Sequence, residues 1–160
     1  MRVRLLISGV AVSLLAAVTS GCTQDTPSES TDVIDSATYV ALYQDTINGF
    51  PEALPDAVEF PETPPPLDGQ IGRGNAAGAA YFYWLCAWED VYLTNSDSAT
   101  RATAMEEMRK FPQTSWGSRY YLDPDNVWGS TLDAAELGDL TELRAFNDSD
   151  CAFYRTANAS

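Results

Sequence analysis

At residues 76–93 the chain reads AAGAAYFYWLCAWEDVYL, which is apolar on every side of a helix until Glu89. A helix that is apolar all round is buried among other protein elements. A membrane span is the alternative for eighteen such residues, but the acidic pair Glu89-Asp90 would be costly in lipid. The segment therefore predicts the central helix of a protein core, beginning at Gly74 or Asn75.

Shorter segments on both sides of this helix carry helical spacing and capping residues. The first predicted helix begins at Asp35 or Ser36 and stops at Gly49, and the next begins at Ser96 or Asp97 and stops at Pro112. A short helix runs from Thr131 to Gly138, and a last one begins at Asp139. In the segment before Pro112, Glu106 and Lys110 stand four residues apart and are predicted to pair. Residues 113–130 are predicted to be irregular because they are rich in turn signals.

Residues 50–70 are rich in proline, which has no backbone N–H and biases its predecessor away from helix. We expect an extended connector that lies across the helices with Leu54, Val58 and Phe60 inserted. A proline-rich ligand for a partner groove is the alternative. No strand pattern persists, so the predicted fold is all-α, a small irregular helical bundle with a Pro-rich extended segment and one disulfide.

The N-terminus has a basic start, an apolar run and small residues before a cysteine. Residues 1–4 read MRVR, residues 5–18 are uncharged and mainly apolar, and residues 19–21 (TSG) precede Cys22. The apolar run suits a signal-peptide core and is shorter than the roughly twenty residues of a spanning helix. This pattern resembles the lipobox of bacterial lipoproteins, with Thr19 where leucine is usual.

The resemblance implies cleavage before Cys22 and a diacylglyceryl group on its thiol. Two acyl chains hold a soluble domain persistently on a membrane, here the extracytoplasmic face of the cell membrane. The chain then divides into a lipoprotein signal peptide (1–21), the lipidated cysteine with a flexible tether (22–35) and a single helical domain (36–160). The alternatives are an ordinary secretory signal cut nearby, with Cys22 coincidental, and an uncleaved anchor.

Cys86 and Cys151 remain once Cys22 is assigned to lipidation. An even number of cysteines in an exported chain predicts a disulfide bond. Two buried free thiols are the alternative. A bond between them would join the central helix to the last one.

Charge and composition exclude several classes of function. The formal net charge is −14, and loss of Arg2 and Arg4 with the leader makes it −16. Such a surface repels the phosphates of nucleic acids. The chain has no histidine, which removes serine–histidine and cysteine–histidine catalysis and most zinc sites. Its one lysine, Lys110, follows an acidic helical face and is expected to be exposed.

Glu89-Asp90 is one candidate site, because a buried carboxylate needs a partner or a raised pKa. Glu89 would be the general acid of a cell-wall glycan hydrolase if a second carboxylate lay nearby. The structural alternative is a surface position or an ion pair of Glu89 with Arg73 or Arg101.

The aromatic segment 116–128 is the other candidate site. Aromatic rings beside carboxylates suit sugars, cations or peptides. The candidate ligand-binding residues are Trp116, Tyr120, Tyr121, Asp123, Asp125 and Trp128. A calcium loop and a simple plug for the core are the alternatives; the later ligand positions of an EF-hand hold no carboxylate.

These features predict a membrane-anchored extracytoplasmic lipoprotein that serves as an envelope interaction or ligand-binding module. Its expected partners are the membrane, through the lipid on Cys22, and an envelope protein or cell-wall component. Catalytic residues, metal and cofactors are expected to be absent. The alternative function is the glycan hydrolase with a carboxylate pair.

Overall fold

The computed structural model describes residues 33–159, and the predicted leader and the lipidation site at Cys22 lie outside them. This range contains seven α-helices and one pair of two-residue strands. In chain order they are β1 (Val33–Ile34), α1 (Ser36–Asn48), β2 (Ile71–Gly72), α2 (Gly74–Thr94), α3 (Ser98–Lys110), α4 (Gly117–Tyr120), α5 (Val127–Glu136), α6 (Thr141–Asp150) and α7 (Ala152–Asn158). A 3-10 turn, Phe111–Gln113, follows α3. The predicted all-α class is confirmed.

Helix α2 is the centre of the fold, as its composition predicts. It contacts α1, α3, α6 and α7, and its buried residues lie on every side. A helix enclosed on all sides needs no polar stripe, which explains its sequence. None of the helices in residues 33–159 is long and apolar enough to span a membrane.

Aromatic donors from α1 and α2 hold the proline-rich connector. Its carbonyl groups lack partners in a regular element, and tyrosine hydroxyls and indole N–H groups satisfy them. The acceptors are Pro65 O for Tyr39 (3.1 Å), Pro61 O for Tyr43 (3.1 Å), Glu59 O for Tyr83 (2.8 Å) and Ala53 O for Trp84 (2.9 Å) and Trp88 (3.0 Å). As predicted, Leu54, Val58 and Phe60 pack against the buried side chains.

The predicted starts of α1 and α3 are capped by local side chains. Asp35 caps α1 by accepting from Thr38 N at 2.7 Å, and Asp97 caps α3 by accepting from Thr100 N at 2.8 Å. Gly49 ends α1. Each cap satisfies a backbone N–H that the first turn of a helix leaves free.

The predicted disulfide is confirmed. Cys86 in α2 and Cys151 between α6 and α7 are joined, with an S–S distance of 2.05 Å. Both cysteines are buried, and Tyr83 and Tyr154 pack in the same cluster. The bond fixes the C-terminal helices to the central one.

The folded domain begins earlier than predicted. Val33 and Ile34, placed in the flexible tether by the sequence, pair with Gly72 and Ile71 in an antiparallel ladder. The ladder satisfies backbone groups, and Ile71 is buried beneath it. These two residues are therefore part of the domain.

The chain after α3 is more helical than predicted. Helix α5 begins at Val127 instead of Thr131, directly after Asn126 in the left-handed conformation (φ 52°). The turn-forming residues before Val127 form the N-terminal cap of α5. The predicted ion pair of Lys110 with Glu106 is wrong: Lys110 is exposed, as expected, but pairs with Glu107, 2.6 Å away and one residue nearer.

Candidate functional site

Trp128 is a core residue, so its prediction as a ligand-binding residue is wrong. Its side chain is buried and its indole N–H donates to Met108 O at 3.1 Å. Its ring packs against Phe146 with centroids 4.9 Å apart. The ring fills the space between α3, α5 and α6 and has no face left for a ligand.

The other three aromatic residues differ in how much surface they offer. Trp116 is half-buried against Phe111, and its indole N–H donates to Gly74 O at 3.0 Å. Tyr121 is half-buried against the same Phe111 ring, with centroids 5.1 Å apart. Tyr120 is 44% exposed. Of these three, Tyr120 is therefore the most exposed to solvent.

The two aspartates of the segment have different roles. Asp123 is half-buried and accepts from Val127 N (2.7 Å) and Trp128 N (2.9 Å), so its carboxylate caps α5. Asp125 is exposed and makes no hydrogen bond with the residues that the structure describes. The six predicted residues therefore do not converge on one open site.

We expect Asp123→Ala to lower the free energy of unfolding by about 1–2 kcal/mol, because two N–H groups at the start of α5 lose their acceptor. Urea denaturation followed by circular dichroism measures the change. Asp125→Ala is the matched control, and its effect should stay below about 0.5 kcal/mol. Equal effects of the two substitutions would contradict the capping role.

Glu89 is a fully buried carboxyl group beside the disulfide. Its Oε2 accepts from Asn147 Nδ2 at 3.1 Å and lies 3.5 Å from Cys151 Sγ. That sulfur is disulfide-bonded and has no proton to donate. The second oxygen, Oε1, has no hydrogen-bond partner among residues 33–159.

Loss of hydration raises the pKa of Glu89 to about 8. The hydrogen bond from Asn147 lowers the pKa, Asp150 raises it and Arg155 lowers it, but burial is the largest effect. At neutral pH the group is therefore mostly protonated. A neutral carboxyl is far less costly to bury than a carboxylate.

Neither arginine that the sequence offered is the hydrogen-bond partner of Glu89. Asn147 takes that place, and Arg101 lies over the ring of Tyr92, 4.3 Å from its centroid. In place of the expected ion pair, Glu89 accepts a hydrogen bond from the Asn147 amide and is mostly protonated at neutral pH. Asn147 is 58 positions away in the sequence, and no local pattern marks it.

The surroundings of Glu89 do not suit glycan chemistry. A glycosidase acid must reach the glycosidic oxygen in an open cleft, with a second carboxyl group about 5–10 Å away. Glu89 has no exposed surface, and its neighbours Cys86 and Cys151 are buried as well. The same three residues bring metal-type ligand atoms within 4.8 Å of one another, but a disulfide has no thiolate to offer.

One open groove, of about 540 Å³, lies between α2, α3 and α5. Tyr92, Arg101, Met105 and Glu136 are among the residues that line it. Glu136 pairs with Arg109 at 2.8 Å, and Arg101 covers Tyr92. The charges at this groove are thus already engaged within the protein.

No protein-family model, curated protein or solved structure matches this chain.

Proposed function

We propose that the protein is a lipid-anchored, extracytoplasmic bacterial lipoprotein whose helical domain binds a partner in the cell envelope. The observation that carries the proposal is the basic, apolar and small-residue pattern that ends at Cys22. Lipid on that thiol would hold the domain outside the cell.

The disulfide supports an exported location. Cys86 and Cys151 are bonded and buried, and such structural disulfides persist in oxidising compartments. In the cytosol, thiol reductants would keep the pair reduced. The bond does not distinguish a lipid anchor from ordinary secretion, which is why Cys22 must be tested directly.

A binding role is favoured over catalysis by the chemistry of the described domain. The strongest acid candidate of the domain, Glu89, is enclosed. The Asp123 carboxylate caps α5, and the Tyr83 hydroxyl binds the connector. Exposed apolar side chains remain on the surface of the domain. Where such side chains cluster, they offer a surface for contacts with other molecules.

Cys22→Ala is expected to move the protein from the membrane fraction to the soluble fraction, because the acyl chains are lost. Mass spectrometry of the native protein should find Cys22 as the first residue with diacylglyceryl mass on it. Thr26→Ala is the control and should stay on the membrane. A native N-terminus without acyl mass, or an intact leader, would overturn the anchor.

A further inference from the structure

Three apolar side chains are exposed between the last residue of α4 and the first residue of α5. Tyr120 is 44% exposed, Leu122 87% and Val127 61%. We call them the apolar loop surface. Single exposed apolar residues are ordinary, whereas exposed apolar residues that cluster are typical of contact surfaces.

Tyr120 of this surface lies at the end of the domain where the chain from Cys22 enters. Val33 pairs with Gly72, two residues before Gly74 at the start of α2. The ring of Tyr120 covers Gly74 so closely that a Cβ there would lie 3.0 Å from Tyr120 Cζ. Val33 is itself 53% exposed.

We propose that the apolar loop surface docks on the lipid surface of the membrane that holds the anchor. This proposal rests on the proposed lipidation of Cys22. Val33 is eleven positions after Cys22, and a fully extended chain of that length spans at most about 40 Å. Full extension costs conformational entropy, so the Val33 end of the domain stays near the lipid.

The anchor makes even a weak contact effective. Docking becomes an intramolecular event once the chain is held at Cys22, with an effective concentration in the millimolar range for a short linker. A few apolar side chains that would not bind vesicles from solution then remain on the surface. The tether supplies proximity, and the loop supplies orientation.

The chemistry of the loop favours the interface over the hydrocarbon core. Tyrosine and arginine are typical of the headgroup region, and the Arg119 guanidinium lies 5.2 Å from the centre of the Tyr120 ring. Asp125 is exposed in the same loop and limits the depth of insertion. Because the chain from Cys22 onward carries a formal charge of −16, electrostatic attraction to anionic lipid is not the driving force.

The opposite end of the domain offers a matched control. Leu137 is 90% exposed at the end of α5, and the neighbouring Ala135 O accepts from Tyr92 Oη at 2.9 Å. Tyr92 is eighteen positions after Gly74 in α2, about 27 Å along the helix axis. Leu137 is thus an equally apolar side chain far from the tether.

The test measures amide hydrogen exchange, from milliseconds to minutes, in protein attached to phosphatidylcholine vesicles. The chain from Cys22 onward is coupled through that thiol to a maleimide lipid, which imposes an anchor whether or not the cell adds one. The amides of Leu122 and Asp125 make no hydrogen bond with other described residues, so their exchange reports coverage. We expect exchange in residues 120–127 to slow at least fivefold relative to the uncoupled chain.

Two variants separate docking from folding. Leu122→Ser with Val127→Ser should abolish the slowing, whereas Leu137→Ser should retain it. The proposal is overturned if the anchored loop exchanges like the free one, or if the serine variant remains protected. It is also overturned if protection appears only when envelope proteins are added, which would identify a protein partner. Absence of acyl mass on the native protein would refute the proposed anchor instead.

Discussion

Replacing Cys86 and Cys151 together by alanine is expected to lower the free energy of unfolding by about 4 kcal/mol. The bond closes a loop of 65 residues, so its loss frees a large part of the unfolded chain. Alanine is chosen instead of serine because both sites are buried, and a serine hydroxyl there would have no water to hydrogen-bond with. Urea denaturation at pH 7 measures the difference.

Reduction of the wild-type protein with dithiothreitol should give the same loss of stability. Agreement between the two would show that the bond, and not the volume of the sulfur atoms, is responsible. Without the disulfide, the helix content of the protein should persist in the absence of urea, because α2 keeps its contacts with α1 and α3. A loss below about 1 kcal/mol would mean that the C-terminal helices hold to α2 without the bond.

The parts of the fold that were predictable depend on neighbours in sequence. Helix α2 is recognised because it is apolar on every side, and α1 and α3 because an aspartate stands at the start of each. The disulfide followed from the parity of the cysteines after Cys22 was set aside. Each inference needed only composition or spacing.

The parts that were missed depend on contacts between distant residues. Trp128 and Tyr120 belong to the same aromatic segment, yet one fills the core and the other faces solvent. The difference arises from where α5 lies against α3, with Met108 O as the acceptor for the indole of Trp128. Sequence spacing carries no information on that packing.

The candidate sites follow the same rule. The sequence marked Glu89 as an acidic residue within an apolar helix and offered arginines as its partners because their charge is complementary to a carboxylate. The partner is Asn147, placed there by the route of α6 and by the disulfide. For Asp123, the turn pattern suggested a ligand site where the carboxylate caps a helix.

Glu89→Gln is expected to stabilise the protein more strongly as the pH rises from 5 to 8. In the folded chain the pKa of Glu89 is raised to about 8 by burial, against an ordinary value of 4.5. Between these values the unfolded chain releases a proton that the folded chain keeps. The wild-type protein therefore loses stability with rising pH, by up to about 1.4 kcal/mol per unit.

Glutamine lacks this titration and has nearly the same shape as the protonated acid. Below pH 4.5 both states of the wild-type protein hold the proton, so the two proteins should differ by less than about 1 kcal/mol. At pH 8 the variant should be more stable by about 4 kcal/mol. Urea denaturation at pH 5, 6, 7 and 8 measures the difference.

Comparing the two proteins at each pH removes the titration of all other groups. This matters because hydrogen bonds to backbone and side-chain groups hold the pKa of Asp35 and of Asp97 below its usual value, which favours folding at higher pH. Glu106→Gln, on the exposed face of α3, is the control, since its carboxyl group meets water in both states. Its difference from wild type should stay within about 0.5 kcal/mol throughout.

The difference in free energy of unfolding between Glu89→Gln and the wild type, followed against pH, distinguishes an ionised from a protonated Glu89 in the folded protein. A flat difference would mean that Glu89 is ionised when folded and that a cation or water reaches Oε1, which has no partner in the structure. A rising difference means that the domain holds a protonated acid in its core. In that case the carboxyl group is a cost of folding at neutral pH, and the nearby disulfide helps to offset it.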